Sequence, residues 1–77
     1  MTIMPNEIEK RPVYTTIMHV NGDIHVDYHA SIRAARRAYH LNVEEMKEHA
    51  ESHGLSIRIG PCYCSLGDGS ADVGIYA

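Results

Sequence analysis

No apolar run in this chain approaches the ~20 residues that a membrane-spanning helix needs. Its opening, Met1 to Arg11, also lacks the apolar h-region of a signal peptide. These absences predict a cytoplasmic protein with no membrane partner. Cysteine is down to two residues, Cys62 and Cys64; a bridge across so tight a ring would be strained, so reduced thiols are expected. Tryptophan and phenylalanine do not occur, and five tyrosines supply every aromatic ring. Neither sign of charge dominates: the net charge of −3 argues against non-specific binding to DNA or RNA. Catalytic motifs are missing too, with no nucleophile elbow, phosphate loop or His-Glu-x-x-His pattern. A chain of 77 residues has too small a core to enclose a cofactor pocket of ~300 Å³. The expectation is a non-enzymatic domain without a cofactor.

What is present begins with a turn. Asn21-Gly22 lies between two alternating runs and favours a type I′ hairpin over Val13–His29, because both central residues of that turn need positive φ. A two-residue loop fixes the register, setting Val20 opposite Asp23, Met18 opposite His25, Thr16 opposite Asp27 and Tyr14 opposite His29. Val13, Thr15, Ile17, His19, Ile24, Val26 and Tyr28 then share the other face. That mostly apolar set is expected to be the core side, and the face with Asp23, His25, Asp27 and His29 the solvent side.

Residues 1–11 are polar and proline-interrupted and read as an arm preceding a single domain over 12–77. After the hairpin, Ser31 is a plausible N-cap, and Ile32, Ala35, Tyr39, Val43, Met46 and Ala50 recur at helical spacing. Asn42 and Glu45 resemble a capping box, flanked by Leu41 and Met46 as a hydrophobic staple. Arg36, Arg37 and His40 would close one helix and Glu44 and Glu45 open another. The prediction is two helices, or one sharply kinked helix, over about 31–40 and 43–53, stopped by Gly54. Leu55–Ile59 alternates as a third strand, continued with shifted phase through Cys62–Leu66 after Gly60-Pro61. A turn at Gly67–Ser70 leads to a last strand ending near Tyr76. The order ββααββ gives an α+β domain, an antiparallel sheet of about four strands with the helices on one face.

Several constellations invite chemistry. The helical segment Ser31–Met46 looks like a helix-turn-helix, but His40 stands where the turn glycine belongs, and Glu44, Glu45, Glu48 and Glu51 outweigh Lys47 on the would-be recognition helix. A small transcriptional regulator is therefore the alternative reading, requiring Arg33, Arg36 and Arg37 to dominate. His49 and His53 are one helical turn apart and Cys62 and Cys64 follow, a conceivable His₂Cys₂ zinc set; dipole-favoured histidines and an ordinary cysteine pair explain them equally. Asp68–Asp72 opens like a calcium loop, but position six is Val73, so a turn is expected. Adjacent members of the His25, Asp27, His29 row lie about 6.6 Å apart, so no single ion spans all three. The remaining surface reading is a partner face formed by Tyr14, Asp23, His25, Asp27 and His29 with Arg33, Arg36, Arg37, Glu44 and Glu48 from the helices. A spare edge strand would also let two copies pair.

In outline the chain resembles the small phage-encoded inhibitors of bacterial defence, such as anti-CRISPR proteins, which are often single α+β domains of this size. The resemblance rests on size and element order and carries over no residue. It implies a protein or nucleoprotein partner, such as a CRISPR surveillance complex or nuclease, blocked by steric occlusion or by competition for a nucleic-acid site.

Overall fold

The computed structural model describes residues 13–77, so the expected arm over 1–11 lies outside the described residues. Strands β1 (Tyr14–Val20) and β2 (Asp23–His29) form the hairpin, with Asn21 at φ 48° and Gly22 at φ 89°. Those positive angles are what the Asn-Gly pair supplies, and the register is the expected one, Val20 opposite Asp23 through Tyr14 opposite His29. A helix α1 (Ile32–His53), then β3 (Ile57–Ile59), β4 (Tyr63–Leu66) and β5 (Ala71–Tyr76) complete the chain. The sheet has five strands in the order β2-β1-β5-β4-β3, every neighbouring pair antiparallel. Among the described residues no helix is long and apolar enough to cross a membrane.

The expected helix pair is one unbroken helix of 22 residues. Ser31 caps it, its hydroxyl accepting from the Ala34 N–H at 3.1 Å, and Gly54 ends it in the left-handed region at φ 65°. Packing decides the continuity. Ala35, Tyr39, Val43, Met46 and Ala50 form one buried stripe, and each larger member contributes about 1.5–3 kcal/mol by leaving water. A capping box at Asn42 offers only about 1 kcal/mol and would rotate half of that stripe off the sheet.

The strand count is five rather than about four because Gly60-Pro61 turns the chain instead of bulging it. The Gly60 N–H donates to the Tyr63 carbonyl at 2.7 Å, and Ile59 pairs back on Cys64. Pro61 has no N–H to carry a ladder through this point. The Tyr39 hydroxyl reaches from the core to the Gly60 carbonyl at 2.7 Å and ties helix to turn.

The helix covers the face carrying Thr16, Met18 and Val20 of β1, Ala71, Val73 and Ile75 of β5, and Cys64 and Leu66 of β4. The hairpin is thus oriented opposite to expectation. Its Asp23, His25, Asp27 and His29 row lies on the helix side of the sheet, and the apolar set Ile24, Val26 and Tyr28 lies on the other side. β5 fixes this outcome: Val73 pairs with Met18 and Ala71 with Val20, so the even-numbered face of β1 joins the strongest apolar strand. β2, at the sheet edge, lies at the margin of the helix cover and is exposed at every residue except half-buried His29.

Candidate functional site: an uncovered sheet face

On the side away from α1 the sheet presents Ile24, Val26 and Tyr28 of β2, Thr15, Ile17 and His19 of β1, Asp72, Gly74 and Tyr76 of β5, Tyr63 and Ser65 of β4, and Arg58 of β3. Tyr28 is 75% exposed and Ile24 61%. Val26, Tyr63 and Tyr76 are exposed as well, and among the described residues no element packs over them. Close packing within the face occurs at Gly74, where the Tyr76 ring lies over the backbone. A Cβ there would meet the Tyr76 ring and hydroxyl at 2.8–3.0 Å, so only glycine lets the tyrosine lie flat.

One polar pair crosses this surface. His19 Nδ1 lies 2.9 Å from the Asp72 carboxylate, both side chains partly exposed. Partial desolvation, and after it the negative charge of Asp72, hold the Tyr63 phenol above its ordinary ionisation. The arrangement is not a nucleophilic triad. Asp72 is paired directly with both His19 and Ser65 and so lies between them, leaving serine and imidazole two strand spacings, about 10 Å, apart.

The sequence-selected residues divide into two groups. Tyr14, Asp23, His25, Asp27 and His29 do form one row at the hairpin, where the Thr16 hydroxyl and His29 Nε2 lie 3.0 Å apart. Arg33, Arg36, Arg37, Glu44 and Glu48 are exposed along α1, on the element that covers that side of the sheet. With α1 unbroken, the turn that a helix-turn-helix reading requires is absent from 32–53. The zinc set does not assemble either, and no group of three metal-ligating side chains occurs among the described residues. His49 and His53 stack on each other at 4.1 Å in the last helical turns. Cys64 is buried in the core and Cys62 exposed, both near Tyr39, ten residues or about 15 Å of helix from His49. Asp68 closes an Asx turn instead of a calcium loop: its carboxylate accepts from the Ser70 N–H at 3.0 Å and hydroxyl at 2.7 Å. Those bonds pull its pKa below the usual carboxylate value.

A cleft of about 180 Å³ lies between α1 and the hairpin end, lined by Met18, Val20, Met46 and Ala71 with Glu45 and His49 at its rim. It is smaller than the ~300 Å³ of ordinary ligand pockets. Sequence reasoning assigned Ile17, Ile24, Val26 and Tyr28 to the core and so missed the uncovered face. The available signal was in β1, whose Thr16, Met18 and Val20 are as apolar as its Thr15, Ile17 and His19. The chain matches no protein-family model, no curated protein and no solved structure.

Proposed function

We propose that this chain is a small non-enzymatic protein-interaction module that docks a protein or nucleoprotein complex through the uncovered face of its sheet. One observation carries the reading: Ile24, Val26 and Tyr28 stand in solvent on the same face as Tyr63 and Tyr76. Contiguous exposed apolar side chains mark interaction sites, and tyrosine supplies a large contact area at low entropic cost. The His19–Asp72 pair gives the otherwise apolar surface a polar point that would fix orientation. By the resemblance in size and element order, the mode of action is inhibition, with the module occupying the surface of a defence complex and excluding its normal ligand.

The test is affinity capture from the cell of origin with three forms of the chain. Wild type should retain one complex. A Tyr63→Ser/Tyr76→Ser double variant should lose at least about tenfold in affinity, since a single interface anchor is worth 2 kcal/mol or more. An Arg36→Glu/Glu48→Lys variant on the outer face of α1 should bind like wild type. Retention by the tyrosine variant with loss in the helix variant would move the interface to α1 and overturn the reading.

A further inference from the structure

β2 is both the edge of the sheet and a self-complementary sequence. Its hydrogen-bonding phase follows from the hairpin. Asn21 sends its N–H away from β2, to the Ser70 carbonyl at 2.9 Å. Odd-numbered residues of β1 therefore bond toward β5, and even-numbered ones toward β2. The even residues of β1 face Asp23, His25, Asp27 and His29. Hence the N–H and C=O groups of Ile24, Val26 and Tyr28 point outward, and no described residue pairs with them.

We propose that a second copy of this chain pairs with that edge, β2 against β2 and antiparallel, about a two-fold axis through Val26. In this register Val26 faces Val26, and Ile24 faces Tyr28 of the second copy. All three pairs are of the hydrogen-bonded kind, giving six backbone bonds between the copies. The intervening pairs are the closely spaced, non-hydrogen-bonded kind: Asp23 faces His29, and His25 faces Asp27. Every polar position of the strand meets its opposite in charge type, and every apolar position meets an apolar one. Centring the axis on His25 would oppose Asp23 to Asp27, and centring it on Asp27 would oppose His25 to His29. The Val26 register alone uses the whole strand without setting like against like.

The rest of the fold accommodates this pairing. α1 lies over β1, β5 and β4, so the two helices flank a trough whose floor is the Asp–His rows. Two five-stranded sheets become one of ten strands, and the apolar stripe Ile24, Val26 and Tyr28 runs on across the axis. The docking surface proposed above is doubled rather than covered, and the dimer stands independently of that reading.

Protonation should tighten the dimer. The groups facing His25 and His29 are Asp23 and Asp27 on β2, and Met18, Thr16 and Tyr14 on β1. α1 adds exposed Arg33, Arg36, Arg37 and His40 in its first half. Opposing carboxylates attract imidazolium across the pair, so this contribution is present where the histidines carry a proton, is lost as pH rises and they give it up, and vanishes again once the aspartates protonate.

Sedimentation equilibrium on the purified chain tests this. An interface this small predicts dissociation constants of roughly 1–100 µM, weakening about tenfold between about pH 6 and pH 8. Val26→Pro, which removes only an outward N–H and is tolerated on an edge strand, should be a folded monomer. Asp23→Lys/Asp27→Lys and His25→Asp/His29→Asp should each weaken self-association, and their mixture should restore a one-to-one dimer. Circular dichroism verifies the fold of each variant. A wild type that stays monomeric at about 0.5 mM, a Val26→Pro chain that still dimerises, or charge variants that fail to rescue each other would overturn the proposal. None of these results depends on the Tyr63 and Tyr76 surface, so failure here leaves the capture experiment to judge the docking face by itself.

Discussion

Cys62 and Cys64 stand at i and i+2 and would share a face within one strand; their environments differ because Cys64 lies in β4 and Cys62 in the turn before it. Cys64 faces the helix, fully buried among Tyr39, Val73 and Leu66, and burial pushes its thiol pKa up. Cys62, in the turn before β4, is exposed. Thiolate is the reactive form, so iodoacetamide at neutral pH should alkylate Cys62 alone, read as one mass increment on the intact protein. Cys64 should react only on unfolding or at markedly higher pH. Equal labelling of both thiols in the native state would show that β4 does not hold Cys64 in the core. This pair was legible in the sequence as reduced thiols, whereas the phase that buries one of them was not. That phase depends on where Gly60-Pro61 ends one strand and lets the next begin.

At the scale of elements, α1 exposes a competition between local signals and packing. Asn42 and Glu45, with their flanking Leu41 and Met46, carry the local signature of a helix start, yet the helix runs through them. Since Asn42 is an interior helical residue, Asn42→Ala should stabilise the protein by about 0.5 kcal/mol, the helix-propensity difference. Ser31→Ala removes the real cap and should cost about 1 kcal/mol. Both are measured by urea denaturation with unchanged slope. A cost at Asn42 similar to that at Ser31 would mean the helix is capped, and so broken, at residue 42. The hairpin is the opposite case. Asn21-Gly22 and the alternation around it specified turn and register from seventeen residues, because nothing outside the hairpin is needed to satisfy them. Which face turned inward was decided elsewhere, by Ala71, Val73 and Ile75 of β5, some fifty residues later in the chain.

At the scale of the fold, among the described residues a single helix covers the middle of a five-stranded sheet and leaves one entire face and one long edge uncovered. Stability should follow that geometry. Amide hydrogen exchange in dilute solution should be slowest in β5, bonded on both sides and packed under α1, and fast at the outward-pointing amides of the two edges, Ile24, Val26 and Tyr28 of β2 among them. Protection of those three amides in dilute solution equal to that of β5 would mean that another segment of the chain already covers the edge.

The sequence by itself determined the local and periodic features: a hairpin with its register, and a helical stripe with its cap and stop at Ser31 and Gly54. Turn chemistry and hydrophobic spacing act over a few residues, so they are written in adjacent letters. Only the tertiary structure decided that the helix is continuous, that Gly60-Pro61 divides two strands, and that Ile24, Val26 and Tyr28 face outward. Each of those outcomes is set by burial against distant partners. One helix stripe can cover only the strands beneath it, and the order β2-β1-β5-β4-β3 left β2 at the margin of that cover, exposed at all but His29.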